Sequence, residues 1–374
     1  MKILIVSDAW HPQINGVVRT LEMTVRELEK LGHKVAVAGP DGARRWTLSM
    51  PFYPDIPLEF FAGKRLGHLL DEFRPDFIHI ATEGPLGWTA RNLCMQRQRP
   101  FTTSFHTRFP EYLAARLPRG LASGVGLLAY AALRRFHAPS SAILVATHSM
   151  EKELRARKFH RLVRWSRGVD TDLFRPREKD PSIYAGLARP ILLCVGRIAT
   201  EKNLRAFLDI EAPGSKILIG DGPALPRLRA DYPEVHFPGL LEGEALARHY
   251  AAADLFVFPS KTETFGLVLL EACASGLRVA SVPAPGPSDI FADPVAHKFA
   301  VLDEDLGRAV ARALALSNNP VAPRTFAEGF SWATCTRQFF DHLQASTPKA
   351  VRRITRLRLW LGRRWQHALA LAFK

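Results

Sequence analysis

Short apolar, strand-like runs alternate with helically periodic stretches along this chain of 374 residues, and near its middle the alternation starts over. The first series places strands at 3–6, 34–38, 77–80, 101–104 and 142–146, with a helix over 17–31 that stops at Gly32. The second places strands at 191–195, 216–219, 235–237, 255–258 and 279–282. Such alternation specifies α/β structure, with parallel sheets covered by helices on both faces. The polar stretch 174–181, which carries Pro176 and Pro181, is the expected linker. The predicted organisation is therefore two Rossmann-like domains, 1–176 and 177–330, facing each other across a cleft. A C-terminal helix over 331–347, capped by Ser331, would pack back, and 348–374 would form a separate tail.

Chemistry concentrates after the strands of the second series. Glu263 and Glu271 lie eight residues apart, the first on the loop that follows the 255–258 strand, the second inside the next helix. In an open α/β sheet, ligands bind in the crevice at the C-terminal strand ends. A helix starting near Gly266 offers backbone N–H groups to an anion, with Phe265 and Leu267 beside it. Arg197 and Lys202 follow the 191–195 strand, where Gly196 lets the backbone turn. An arginine grips phosphate bidentately and a lysine supplies a point charge. Together these residues suit a sugar nucleotide: cations at the diphosphate, a carboxylate at each hydroxyl-bearing ring. Asp221, in a Gly-Asp-Gly-Pro turn, lines the same side or serves only the turn. In the first series, Gly16 precedes a helix and could approach a phosphate through its backbone. His106 follows a strand end, where it could contact a sugar hydroxyl, orient an acceptor, or be purely structural. The Gly-x-Gly-x-x-Gly fingerprint of dinucleotide enzymes is absent from this region.

The net charge of +15 calls for an anionic partner. Much of it sits in the tail: 349–374 has basic residues and no acidic one. Arg352, Arg353, Arg356, Arg363 and Arg364, with Trp360, accompany an apolar helical repeat that includes Leu361 and Trp365. A basic amphipathic helix of this kind binds anionic membrane surfaces. The segment 116–137, an apolar centre between Arg116, Arg119 and Arg134, Arg135, is a second candidate, though a core helix fits it equally. Basic residues gathered in an amphipathic tail, with no domain-wide aromatic platform, argue against nucleic acid. The four cysteines lack metal or redox spacing and fit a reducing cytoplasm. The start of the chain is too soon polar for a signal peptide. No apolar run approaches the ~20 residues needed to cross a bilayer.

In order and spacing, the segments 196–197, 201–203, 220–223 and 263–271, with 167–174 before the linker, resemble the family-four retaining glycosyltransferases of the GT-B fold. The resemblance covers roughly residues 1–345. It implies that Arg197 and Lys202 hold the diphosphate, Glu271 the ribose hydroxyls and Glu263 the donor sugar near the reacting centre. Gly16 would close over the phosphates and His106 would sit at the sugar. Neither metal nor other cofactor is implied, and retention would follow front-face attack with the leaving phosphate accepting the proton. Thr262-Glu263-Thr264 departs from the commoner Glu-Gly pairing. That local form, with 102–112 and 330–339, resembles the lipid-directed branch: glucuronosyl, glucosyl or sulfoquinovosyl diacylglycerol synthases and GDP-mannose-dependent mannosyltransferases.

The expected protein is a hexosyltransferase held peripherally on the inner face of the cell membrane. It would move a hexose or hexuronic acid, from a UDP-sugar in the first instance, to a lipid, with diacylglycerol foremost. A GDP-mannose-dependent α-mannosyltransferase is the alternative. A nucleotide-sugar 2-epimerase or a non-enzymatic basic membrane-binding protein is the alternative of another class. The oligomeric state is not specified by the sequence.

Overall fold

The structure is a computed structural model that describes residues 1–13, 15–40, 47–50, 53–106, 119–263 and 265–345. The chain divides into two compact units. Among the described residues, one holds Met1–Ala146, Met150–Trp165 and 336–345; the other holds Thr147–Ser149 and Ser166–Cys335.

The first unit is built on a parallel sheet of β1 (Lys2–Val6), β2 (Lys34–Ala38), β5 (Phe77–Ile80), β6 (Thr102–Phe105), β7 (Ile143–Val145) and β8 (Leu162–Arg164). Its order is β2-β1-β5-β6-β7-β8. Ile3, Leu4, Ile5 and Val6 are all buried, as they must be in a strand covered on both faces. An antiparallel hairpin of β3 (Thr47–Met50) and β4 (Tyr53–Glu59) stands outside this sheet. The alternation does not predict it. Glu59 at its end is buried and pairs with Arg65 at 2.5 Å, while Arg65 also donates to the Gly39 carbonyl at 2.8 Å. The helix Gly16–Lys30 starts where Asn15 accepts from the N–H groups of Val17 and Val18, at 3.0 Å each.

Asp8, just past β1, closes the neighbouring helix Pro85–Gln96. It accepts from Leu86 N–H at 2.9 Å, Gly87 N–H at 3.2 Å and the Thr82 hydroxyl at 2.8 Å. Burial is the largest influence on this carboxyl and raises its pKa, against the lowering effect of the three donors. The fold therefore favours the protonated acid relative to the unfolded chain. That stability is fully present below the ordinary carboxyl pKa near 4 and is lost as pH rises through the folded value. Asp8→Ala strands two buried N–H groups and is expected to cost about 2–3 kcal/mol. Asp8→Asn is expected to cost less and to abolish this residue's pH dependence. Thermal melts of the three proteins at acid and neutral pH check both points.

The second unit repeats the plan with β9 (Ile191–Val195), β10 (Ser215–Ile219), β11 (His236–Gly239), β12 (Leu255–Phe258), β13 (Arg278–Ser281) and β14 (Ala300–Leu302). All are parallel, in the order β11-β10-β9-β12-β13-β14. This is the doubly wound 3-2-1-4-5-6 order, whose topological switch lies between β9 and β12. Leu192, Cys194, Leu218, Leu255, Val257 and Ala280 form part of its core.

Residues 169–177 pack on the second unit. Val169 N–H donates to the Phe330 carbonyl at 2.8 Å, the Phe174 ring meets Tyr250 edge-on at 5.6 Å, and Arg177 pairs with Glu244. The division between the units thus falls between Trp165 and Ser166. The helix Trp332–Ala345 carries the chain back into the first unit, where Phe339 packs on His79 and Trp165, each at 4.9 Å between ring centroids. The tail 348–374, with Arg352, Arg353, Arg356, Trp360, Arg363, Arg364 and Trp365, lies outside the described residues.

Candidate active site

The switch point of the second sheet gathers the residues singled out after β9 and β12. Gly196, Arg197 and Lys202 follow β9; Glu263, Phe265 and Gly266 follow β12, its sheet neighbour. Lys202 Nζ donates to Glu263 Oε2 at 2.5 Å, joining two motifs 61 residues apart. Both side chains keep about a fifth of their surface exposed, 23% and 21%, so the pair is open to a ligand. Arg197 lies half-buried at the same strand end. Further bonds tie the two loops together: Thr262 Oγ1 donates to the Glu201 carbonyl at 3.2 Å, and Asn203 Nδ2 to the Pro259 carbonyl at 3.1 Å.

Glycines bring a third loop against the first. A Cβ on Gly220 would lie 2.0 Å from the Gly196 carbonyl oxygen, and one on Gly222 2.4 Å from that of Ile198. This closeness lets Ile198 N–H reach the Asp221 carbonyl at 2.8 Å. The Asp221 side chain is exposed and accepts from Gly222 N–H at 2.7 Å, so it stabilises its own turn.

The helix Leu267–Ala274 begins at Gly266, whose φ of 93° is in the left-handed region that glycine tolerates. No side chain caps it. Glu271 lies within that helix, only 3% exposed, with Tyr250 Oη donating to its Oε2 at 3.1 Å. A carboxylate in apolar surroundings requires such a partner.

Sequence reasoning missed several features. Gly286 N–H donates to the Glu263 carbonyl at 3.2 Å, and a Cβ on Gly286 would meet the Phe265 carbonyl at 2.4 Å, so the loop carrying Glu263 is clamped from outside the motif. Ser260, at the end of β12, is buried and its Oγ has no hydrogen-bond partner among the described residues. In the first unit, the buried His137 joins Thr103 Oγ1 at 2.9 Å and Glu83 Oε1 at 3.2 Å.

His106 is buried at the end of β6, its Nε2 2.8 Å from Ser104 Oγ. Gly16 is exposed, but Asn15 already occupies the N–H groups of Val17 and Val18. Of the cations proposed for membrane contact in 116–137, Arg116 lies outside the described residues and Arg119 opens the helix Arg119–His137. Arg134 and Arg135 are exposed on that helix, as are Leu127 at 71% and Leu128 at 73%. Tyr130, Leu133 and Phe136 form its buried side. No described helix is long and apolar enough to cross a membrane.

The sequence matches the family model described as Glycosyltransferase Family 4 over residues 14–173, and that of Glycosyl transferases group 1 over 189–318. It is 31% identical to the sulfoquinovosyl transferase of Arabidopsis thaliana, across 74% of this chain and 58% of that protein, so it spans less than two thirds of this relative's length. A GDP-mannose-dependent alpha-mannosyltransferase of Mycolicibacterium smegmatis is also 31% identical, across 78% of this chain and 82% of its own. The alpha-monoglucosyldiacylglycerol synthase of Streptococcus pneumoniae is 25% identical, across 84% of this chain and 78% of that one. Among solved structures, a sucrose-phosphate synthase from Thermosynechococcus elongatus superposes with a TM-score of 0.69 at 20% identity, covering 92% of this chain and 100% of that one. At that identity the superposition shows the fold alone.

Proposed function

The chain belongs to glycosyltransferase family 4 and has the GT-B fold, and we propose that it transfers a hexose or hexuronic acid from a nucleotide sugar to a membrane lipid. The observation that carries this reading is the Lys202–Glu263 pair at the β9/β12 switch, with Glu271 on the following helix. A leaving nucleoside diphosphate gains negative charge as the glycosidic bond breaks. Cations fixed beside it, Lys202 and Arg197, stabilise the transition state more than the ground state. Glu263 meets the donor sugar, and Glu271, held by Tyr250, takes the ribose hydroxyls. The uncapped N–H groups at Gly266 and Leu267 face a phosphate oxygen. Retention follows from front-face attack, the leaving phosphate taking the acceptor's proton.

The acceptor in this reading is diacylglycerol and the donor a UDP-sugar, in keeping with the lipid named in the streptococcal relative. Transfer of mannose from GDP-mannose is the second reading, and the mycobacterial relative's coverage of 82% of its length favours it. The protein would hold to an anionic leaflet from one side. Leu127 and Leu128 present apolar surface beside Arg134 and Arg135 on one helix, and each cation near such a leaflet contributes about 1 kcal/mol.

Incubating the protein with anionic vesicles containing diacylglycerol and a panel of UDP- and GDP-sugars, followed by mass spectrometry of the lipids, tests the proposal. A new glycolipid identifies donor and acceptor together. Donor consumption without glycolipid removes diacylglycerol, and no consumption of any donor sinks the reading. Leu127→Glu with Leu128→Glu is expected to weaken vesicle sedimentation by about tenfold or more. Unchanged sedimentation would remove this helix from the membrane contact.

A further inference from the structure

We propose that Thr262 is a positioning residue whose hydroxyl, by gripping the chain beside Lys202, sets how Lys202 meets Glu263 and so governs turnover. This rests on the reading above, in which Lys202 and Glu263 act on the nucleotide sugar.

The sheet leaves that task to side chains. β9 and β12 are neighbours, yet their pairing runs over Leu192 with Leu255 and Leu193 with Phe256. It stops short of Val195 and Phe258, where the two strands end. Lys202 and Glu263 lie farther on, each on its own loop, and each loop is anchored elsewhere. Ile198 N–H donates to the Asp221 carbonyl at 2.8 Å, and Gly286 N–H to the Glu263 carbonyl at 3.2 Å. Neither anchor sets one loop against the other. Three side-chain hydrogen bonds cross between them. Thr262 Oγ1 donates to the Glu201 carbonyl at 3.2 Å, Lys202 Nζ to Glu263 Oε2 at 2.5 Å, and Asn203 Nδ2 to the Pro259 carbonyl at 3.1 Å.

The register of these bonds matters. Thr262 directly precedes Glu263, and Glu201 directly precedes Lys202, so the threonine ties the two loops one residue away from the pair on both sides. A lysine is a charge on a flexible stem and follows the carboxylate wherever it goes. A threonine is β-branched and stiff at χ1, so its hydroxyl holds the backbone more closely. Asn203 ties the far side of Lys202. Its backbone is left-handed, at φ 54° and ψ 36°, and it precedes the helix Leu204–Leu208 without capping it. Asparagine is among the strongest helix caps, but this amide reaches across to Pro259 instead. Glu201, Lys202, Thr262 and Glu263 are all half-buried, so water replaces a lost tie only in part.

The separation itself is measured first, without any activity. In crystal structures of the full-length parent and of Thr262→Val, which keeps the shape and removes the donor, the parent is expected to hold the Lys202–Glu263 contact. The variant is expected to part the two beyond the ~4 Å of an ion pair. An unchanged pair in Thr262→Val overturns the inference whatever the enzyme does. In the glycolipid assay, Thr262→Val is expected to lower kcat about tenfold, because a reacting group displaced by about 1 Å loses up to ~10²-fold in rate. Affinity for free UDP or GDP is expected to change about twofold or less, since the lysine stem still carries its charge to a phosphate. Thr262→Ser, which keeps the hydroxyl, is expected to restore kcat. In a Glu263→Gln background, Thr262→Val is expected to cost about twofold or less, because the hydroxyl acts through the carboxylate. Undiminished kcat in Thr262→Val, or an equal loss in both backgrounds, overturns the proposal. If no donor supports transfer, the functional reading fails, while the two structures still decide what Thr262 holds in place.

Discussion

Glu263→Ala is expected to lower turnover by about 10²- to 10³-fold while nucleotide affinity changes little. The selectivity follows from how the residue is held. Its backbone carbonyl accepts from Gly286 N–H, and the Phe265 carbonyl is pressed against Gly286, so truncating the side chain leaves the loop in place. What disappears is the carboxylate proposed to meet the sugar and one partner of Lys202. Lys202→Ala is expected to be comparably severe in kcat, and also to weaken nucleotide binding, because it removes a cation proposed to hold the diphosphate. The two side chains touch, so their effects are expected to be less than additive in the double variant. Initial rates with the donor identified in the vesicle assay, beside calorimetric titration with the free nucleotide, separate the roles. Unchanged turnover in Glu263→Ala would remove it from the chemistry.

Gly220→Ala is expected to destabilise the second unit by about 3 kcal/mol or more, through strain at a special backbone conformation. The φ of 143° there is one that side chains rarely adopt, and the added Cβ would lie 2.0 Å from the Gly196 carbonyl oxygen. That oxygen is backbone and cannot rotate away. Separation of the loops would break the Ile198–Asp221 hydrogen bond and displace Arg197, so nucleotide binding falls with stability. For a unit of this size the shift in Tm is about 6–12 °C. Gly124→Ala is the control. It lies on the exposed side of the helix Arg119–His137, with nothing within 4 Å of the added atom, and is expected to be neutral or to stabilise by up to about 1 kcal/mol. Equal melting of Gly220→Ala and the parent would show that the two loops part without cost.

Ten of the described strands announced themselves, most of them as short apolar runs bounded by turn residues. Four did not. β8 is a three-residue strand that follows Arg161 and ends in Arg164, β14 is a further three-residue strand, and β3 and β4 form a hairpin outside the alternating plan. Prolines and charges at 174–181 look solvated in sequence, whereas Phe174 is fully buried against Tyr250. In the site, the positions of Arg197, Lys202, Glu263, Gly266 and Glu271 at strand ends and on a helix were legible. Strand, loop and helix alternate with fixed chemistry, and ligands gather at C-terminal strand ends.

By itself the sequence determined the class of the chain: two successive α/β series, and a cation-and-carboxylate set at the strand ends of the second. These are properties of local order, which residue follows which. Tertiary structure alone decided the pairings. Strand order set β9 beside β12 and so put Lys202 on Glu263. Packing gave Glu271 the Tyr250 hydroxyl, gave Asp8 the start of a helix whose N–H groups lie 78 and 79 residues away, and joined His79 to His106 through Ser104. The physical reason is one of range. A turn or a capped helix is written within a few residues, whereas a buried polar group must find its partner wherever the folded chain brings one.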